Sequence, residues 1–151
     1  MSTRISTLAN GIRVITDTMD TVGTATIGAW VGAGTRHEDA SLNGVSHLLE
    51  HMAFKGTRRR NARAIAEEIE AVGGYLNAYT TREYTTYYAK ILSEDTPLAI
   101  DLIADILQHS VLDPAELERE RTVILQEIGE AHDTPDDIIF DYFQEAAYPN
   151  Q

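Results

Sequence analysis

Val45-Ser46-His47-Leu48-Leu49-Glu50-His51-Met52 is the stretch on which the reading of this chain turns. Two histidines stand four apart, and a glutamate immediately precedes the second. On an α-helix, positions i and i+4 share one face one turn apart, so two imidazoles placed this way can grip one metal ion. Glu50, three residues after His47, points to the same side, where a carboxylate beside a metal-held water can take its proton. H-x-x-E-H inverts the H-E-x-x-H order but keeps its roles, two nitrogen ligands and one base. Scattering the chain's His and Glu at random over its length produces the pattern with a probability of roughly 1%.

The motif helix is punctuated at both ends. Asn43 is placed to cap it, Leu48, Leu49 and Met52 supply its apolar surface, and Lys55-Gly56-Thr57 stops it after about Phe54. Upstream, residues 3–17 read as a hairpin turning on Asn10-Gly11, a two-residue turn signal flanked by Ile5, Leu8, Ile12, Val14 and Ile15. Residues 23–33 form a strand rich in Gly and Ala, whose small side chains imply close packing above the sheet. A polar loop over 34–42 leads into the motif.

Downstream, Arg58-Arg59-Arg60 reads as a solvated loop cluster rather than a nucleic-acid patch, because the chain is acidic. Asn61 caps a second helix with Ile65, Ile69 and Val72 on one face, ended by Gly73-Gly74. Strands over 75–80 and 84–92, joined by Thr81-Arg82-Glu83, suggest an antiparallel pair. Thr96-Pro97 opens a third helix through His109. Asp113-Pro114-Ala115-Glu116 supplies a cap, an N1 proline and an acidic N3 residue for a long helix through about Ala131. Thr134-Pro135-Asp136-Asp137 opens the last helix in the same way. The order of elements predicts an α+β fold, a mostly antiparallel sheet with helices packed on one face.

Composition narrows the function classes. The 151 residues fit one domain with a genuine core, at 24% charged and 43% hydrophobic. No apolar run reaches transmembrane length, and no membrane partner is expected. Without cysteines, any metal must be held by His and carboxylate. The formal net charge of −12 argues against nucleic acid and favours a cationic peptide. The first residues carry neither an apolar secretion core nor an Arg- and Ser-rich amphipathic pattern, so a bacterial cytoplasm is the expected setting, with the mitochondrial matrix as the alternative.

A catalytic zinc site needs three protein ligands and an open position, and His₂Glu is a known set. The long helix offers Glu120 and Glu127, seven apart and therefore on one face about two turns apart, with Val123, Ile124 and Ala131 as companions. Two carboxylates in an apolar stripe are costly unless paired or metal-bound. Residue chemistry alone does not choose between them. Glu116, Glu118 and Glu130 read as solvated, and His37, His109 and His132 as surface or helix-end residues.

Several stretches, taken together, resemble the pitrilysin/insulinase-type zinc peptidases, most closely the branch of the mitochondrial processing peptidase β-like and bacterial members. They are Gly32-Ala33-Gly34-Thr35-Arg36-His37-Glu38, the motif extended from Asn43 to Thr57, Gly73 through Glu83, and Glu118 through Ile128. The resemblance implies one Zn2+ per chain on His47, His51 and Glu127, and Glu50 as general base. It implies that Glu120 assists near the metal without ligating it, by holding a ligand histidine through its other ring nitrogen. Asn77, Ala78 and Tyr79 fall on an edge strand where a peptide is expected to lie as an added strand. The implied activity is hydrolysis of short peptides or presequence-like segments. The same resemblance predicts that residues 1–151 are an N-terminal zinc-binding part of a longer architecture with a second, metal-free half. The alternative is a zinc-binding module that is incomplete alone, or an interaction subunit. Either a homo-oligomer or a complementing domain or subunit is then the expected partner.

Overall fold

The computed structural model describes residues 2–149. Strands β1 (Ser2–Thr7) and β2 (Arg13–Thr18) are followed by β3 (Thr24–Val31), the motif helix α1 (Val45–Ala53) and α2 (Ala62–Ala71). Strands β4 (Tyr75–Thr80) and β5 (Thr85–Leu92) precede three helices, α3 (Thr96–His109), α4 (Pro114–Asp133) and α5 (Pro135–Ala147). The architecture is the α+β arrangement expected. Strands β3, β5 and β4 form an antiparallel sheet in that order, with Gly28 opposite Tyr88 and Asn77 opposite Tyr88 from the other side.

Strand β5 is central, and its alternation divides the sheet. Tyr87, Ala89 and Ile91 point to one face and are buried there with Ile65, Ile69, Ala78, Ala99, Leu102, Ile103 and Ile106. Helix α3 packs on β3 and β5, and α1 and α2 pack on β4. Ala89 and Ala99 are both wholly buried, and their missing bulk lets α3 sit close to the strand. Close packing was the expectation for β3 as well. Part of it comes from within the strand, since a Cβ on Gly28 would meet the Trp30 indole at 2.8 Å. At the end of α2, Gly73 N–H donates to Glu70 O and Gly74 N–H to Ile69 O, a Schellman ending, with Gly73 at φ 66.

The hairpin β1–β2 pairs in the register Ile5 to Ile15 and forms its own two-stranded sheet. Its turn differs from the two-residue turn expected. Leu8 N–H donates to Ile12 O and Gly11 N–H to Leu8 O, so the loop is three residues, with Gly11 at φ 88 as the left-handed member. Asn61 caps α2 through Ala64 N–H at 2.8 Å, and Asp113 caps α4 through Ala115 and Glu116 N–H. Thr134 does not cap α5 with its side chain, because its hydroxyl donates back to Glu130 O in the preceding helix.

The arginine cluster is only in part the solvated loop expected: Arg58 and Arg59 are exposed, but Arg60 is not. Arg60 lies largely inside, its guanidinium meeting Glu68, Asp101 and Asp105 at 2.7–3.0 Å. Arg59 forks onto Asp101 at 2.8 and 2.9 Å. The Asp105 side chain is fully buried and also accepts from Thr57 Oγ1 at 2.8 Å. Burial works against the charge of Asp105, but hydrogen bonds from Arg60 and Thr57 outweigh it and hold its carboxyl below the usual value. This network ties the segment after α1 to α3.

The chain exposes 10833 Å², whereas a closed monomer of its mass exposes about 7,600 Å². Large apolar side chains are among what the chain exposes: Ile5, Ile15, Leu125, Ile139, Phe140 and Phe143 are each 55% exposed or more. No helix among the described residues is long and apolar enough to cross a membrane.

Hydrogen bonds from Arg59, then from Arg60, lower the Asp101 carboxyl from 3.8 to about 2. A lowered carboxyl stabilises the fold fully above its unfolded value and loses that contribution as pH falls through the folded one. Melting temperature should therefore fall between pH 3.8 and about 2, and less steeply in Asp101→Asn. Equal slopes in the two proteins, measured by thermal denaturation, would exclude the pairing as a source of acid lability.

Candidate metal centre

Helix α1 is held from both ends. Before it, Gly34 is buried so tightly on the β4–β5 turn that a Cβ would lie 2.3 Å from Thr81 O. Thr35 N–H and Arg36 N–H donate to Thr81 O and Arg82 O, each at 3.1 Å. This docked loop carries Glu38, whose two carboxylate oxygens accept from Gly44 N–H and Ser46 N–H at 2.7 Å each. Glu38, not Asn43, therefore satisfies the start of α1, where Gly44 stands at φ 92. Burial opposes the Glu38 charge, but the Ser46 and Gly44 N–H groups prevail and lower its carboxyl. An anion at this end also suits the helix dipole. At the other end Met52 and Ala53 are buried in the core, and Phe54 N–H closes on His51 O.

The seven-residue spacing on α4 brings both of its candidate glutamates to α1, one to each nitrogen of His51. Glu120 is buried, and its Oε2 lies 3.0 Å from His51 Nδ1. Its Oε1 meets Lys55 Nζ at 2.6 Å. Burial tends to raise the Glu120 carboxyl, and Lys55 and His51 together lower it on balance. With Nδ1 committed to Glu120, His51 keeps Nε2 as its electron-pair donor. That atom lies 3.2 Å from His47 Nε2, and Glu127 Oε2 lies 3.5 Å from the one and 3.6 Å from the other.

These three atoms satisfy a geometric test for zinc. Ligands about 2.1 Å from a tetrahedral ion stand about 3.4 Å apart, and the observed edges are 3.2, 3.5 and 3.6 Å. The donor set, two imidazoles and one carboxylate, is also of the right chemistry. The site is accessible, with the Glu127 side chain 43% exposed and that of His51 18%.

Glu50 lies on the same side of α1, against the sheet. Its Oε2 accepts from Thr80 Oγ1 at 2.5 Å. Below it Tyr87 is buried, and burial together with the Glu50 charge pushes the phenol up. Strand β4 is an edge of the sheet, beside α1. Ala78 faces the core, whereas Asn77 and Tyr79 face away from the helices. Tyr79 is exposed, and Asn77 Oδ1 accepts from Ala78 N–H at 2.9 Å. His47, His51, Glu127 and Glu120 thus come together, and Glu50, on the same helix as the histidines, is tied to β4.

Three contributors escaped the sequence reading. Lys55 counted only as part of a helix stop, although it stands four residues after His51 and so on the same side one turn on. Glu38 and Thr80 had no local signal. The pairings of His109 with Asp105 and of His37 with Gly34 agree with helix-end and surface roles for those histidines.

Residues 13–151 match the family described as Insulinase (Peptidase family M16). The chain is 49% identical over 146 residues to a probable mitochondrial-processing peptidase subunit beta of Arabidopsis thaliana, covering 97% of the chain and 28% of that protein. It is 48% identical over 148 residues to the mitochondrial-processing peptidase subunit beta of Bos taurus, covering 98% and 30%. It is 46% identical over 144 residues to an uncharacterized zinc protease, YmxG, of Bacillus subtilis, covering 95% and 35%. Among solved structures, a protease from Helicobacter pylori superposes with a TM-score of 0.79 at 27% identity, over 83% of this chain and 30% of that one. The chain thus spans about a third of the length of the relatives it matches.

Replacing Glu38 by Ala should remove two charge-assisted caps and destabilise the chain by about 1–2 kcal/mol. Glu38→Gln, which keeps an acceptor, should lose less. Urea midpoints measure both, and an Ala variant as stable as the parent would remove Glu38 from its role at α1.

Proposed function

Because the chain belongs to the insulinase peptidase family, M16, we propose that it carries the zinc site of a peptidase that cleaves internal bonds of peptides. The observation that supports this most is the triangle of 3.2, 3.5 and 3.6 Å among His47, His51 and Glu127, with Glu50 one helical step away. Those three residues would hold one Zn2+. Zinc bound there acidifies water and polarises a peptide carbonyl. Glu50 takes the proton of the attacking water and later gives it to the leaving amine. Glu120 fixes the ring of His51 through Nδ1 and so keeps Nε2 turned to the metal.

Strand β4 receives the peptide as an added strand, with Asn77, Ala78 and Tyr79 along the contact. Backbone hydrogen bonds then supply affinity for many sequences. The charge of −12 favours cationic segments.

One observation favours a second reading of the same site, as a module completed by further polypeptide. The chain exposes 10833 Å², about 3,000 Å² more than a closed monomer of its mass. Exposed apolar side chains such as Leu125, Ile139, Phe140 and Phe143 lie within that surface, and obligate contacts are the more hydrophobic class of interface. In this reading the zinc residues are all present, and turnover needs a complementing domain or subunit.

Elemental analysis of the purified protein should find one zinc per chain, with affinity weakened in both His51→Ala and Glu127→Gln. A chain that takes up no zinc even when it is supplied would sink the metal assignment. Glu50→Gln should keep its zinc and lose peptide hydrolysis by at least about a hundredfold. Undiminished turnover in that variant would remove Glu50 as the base. Cleavage that arises only on adding a complementing chain would decide for the module.

A further inference from the structure

We propose that Thr80 is a positioning residue for Glu50, so that the strand placed to receive a peptide also aims the base that acts on it. The inference rests on the peptidase reading above. Thr80 is the last residue of β4 and is half-buried. Its Oγ1 lies 2.5 Å from Glu50 Oε2 and, among the described residues, is the only hydrogen-bond donor to that side chain.

The direction of this bond follows from the neighbouring hydroxyl. Thr85, opposite Thr80 in the ladder, has its Oγ1 3.3 Å from that of Thr80. Thr85 gives its own proton to Ala33 O at 3.1 Å. The single hydroxyl proton of Thr80 therefore has two acceptors, a hydroxyl at 3.3 Å and a carboxylate at 2.5 Å. The charged and closer acceptor takes it.

The consequence for catalysis is geometric. A glutamate side chain has three rotatable bonds, and a half-exposed one samples several rotamers. Tying Oε2 to a strand removes most of that freedom and leaves Oε1 for proton transfer. Small misplacements of a reacting group cost large factors in rate. The tether lies on β4, whose backbone would also fix the scissile bond, so base and substrate share one rigid support.

The test is peptide turnover by the zinc-loaded protein and its Thr80→Val and Thr80→Ser variants. Valine keeps the β-branched shape that suits a strand but has no proton to give. Thr80→Val should lower kcat about tenfold, with KM changed less than about twofold and zinc content unchanged. Thr80→Ser, which keeps the hydroxyl, should restore most of kcat. Parental kcat in the valine variant overturns the assignment, as does an equal loss in both variants or a valine variant that loses its zinc. A zinc-bound parent that turns over no peptide, alone or with a complementing chain added, overturns the peptidase reading, and this inference with it. An active parent with an unaffected valine variant overturns this inference alone.

Discussion

Three potential metal donors stand within 3.6 Å of one another, and much of this structure serves to hold them there. The spacing of His47 and His51 along the backbone is set by one turn of α1. That helix is fixed by Glu38 at its start and by Met52 and Ala53 in the core near its end. Glu127 is kept close by the packing of α4 on α1. The buried carboxylate of Glu120 adds a specific link between the helices, bonded to His51 on one oxygen and to Lys55 on the other. An unpaired carboxylate at that depth costs several kcal/mol, and two cationic or proton-donating partners offset it.

The electrostatics are more local than the net charge suggests. A chain with a formal charge of −12 concentrates its internal cations at two points that brace the same helix. Lys55 meets Glu120 beside His51, and Arg60 meets Asp101, Asp105 and Glu68 just beyond. The exposed pairs, such as Arg63 with Glu67, contribute little. Arg60 contributes more because its side chain is only 10% exposed and its partners come from two different helices. Removing one member there leaves an uncompensated charge inside, which is the costly case.

How far the sequence foretold this depends on the range of each interaction. The caps at Asn61 and Asp113 and the glycine ending of α2 involve residues two to five apart, and all three were legible. The pairing of His47 with His51 was legible for the same reason. The Glu38 cap reaches across a loop to Gly44 and Ser46, and a nearer asparagine drew the expectation instead. Arg60 finds Asp101 and Asp105 more than 40 positions away, and Thr80 finds Glu50 across 30. Side-chain chemistry read along the chain cannot see such partners. Glu120 and Glu127 show an intermediate case. Their spacing placed both against one helix, yet only resemblance separated their roles. The structure gives the reason: each addresses a different ring nitrogen of His51, so both stand beside the same histidine.

The weakest support in the site is on the α4 side. Helix α4 buries Glu120, but farther along Leu125 and Ile128 are exposed, and α5 packed against it buries no residue fully. Glu127 sits in that looser half and is the most open of the three donors. Its distance to the histidines is therefore governed less by the core than by how firmly α4 and α5 are held. The apolar side chains along that flank, Leu125, Ile128, Ile139, Phe140 and Phe143, are the surface through which α4 can be held. Covering them removes apolar area from water and restricts α4 in the same step. Apolar contact on this flank and order at Glu127 are thereby linked. A chain that brings His47, His51 and Glu127 together can still depend on a neighbouring surface for the precision of their geometry.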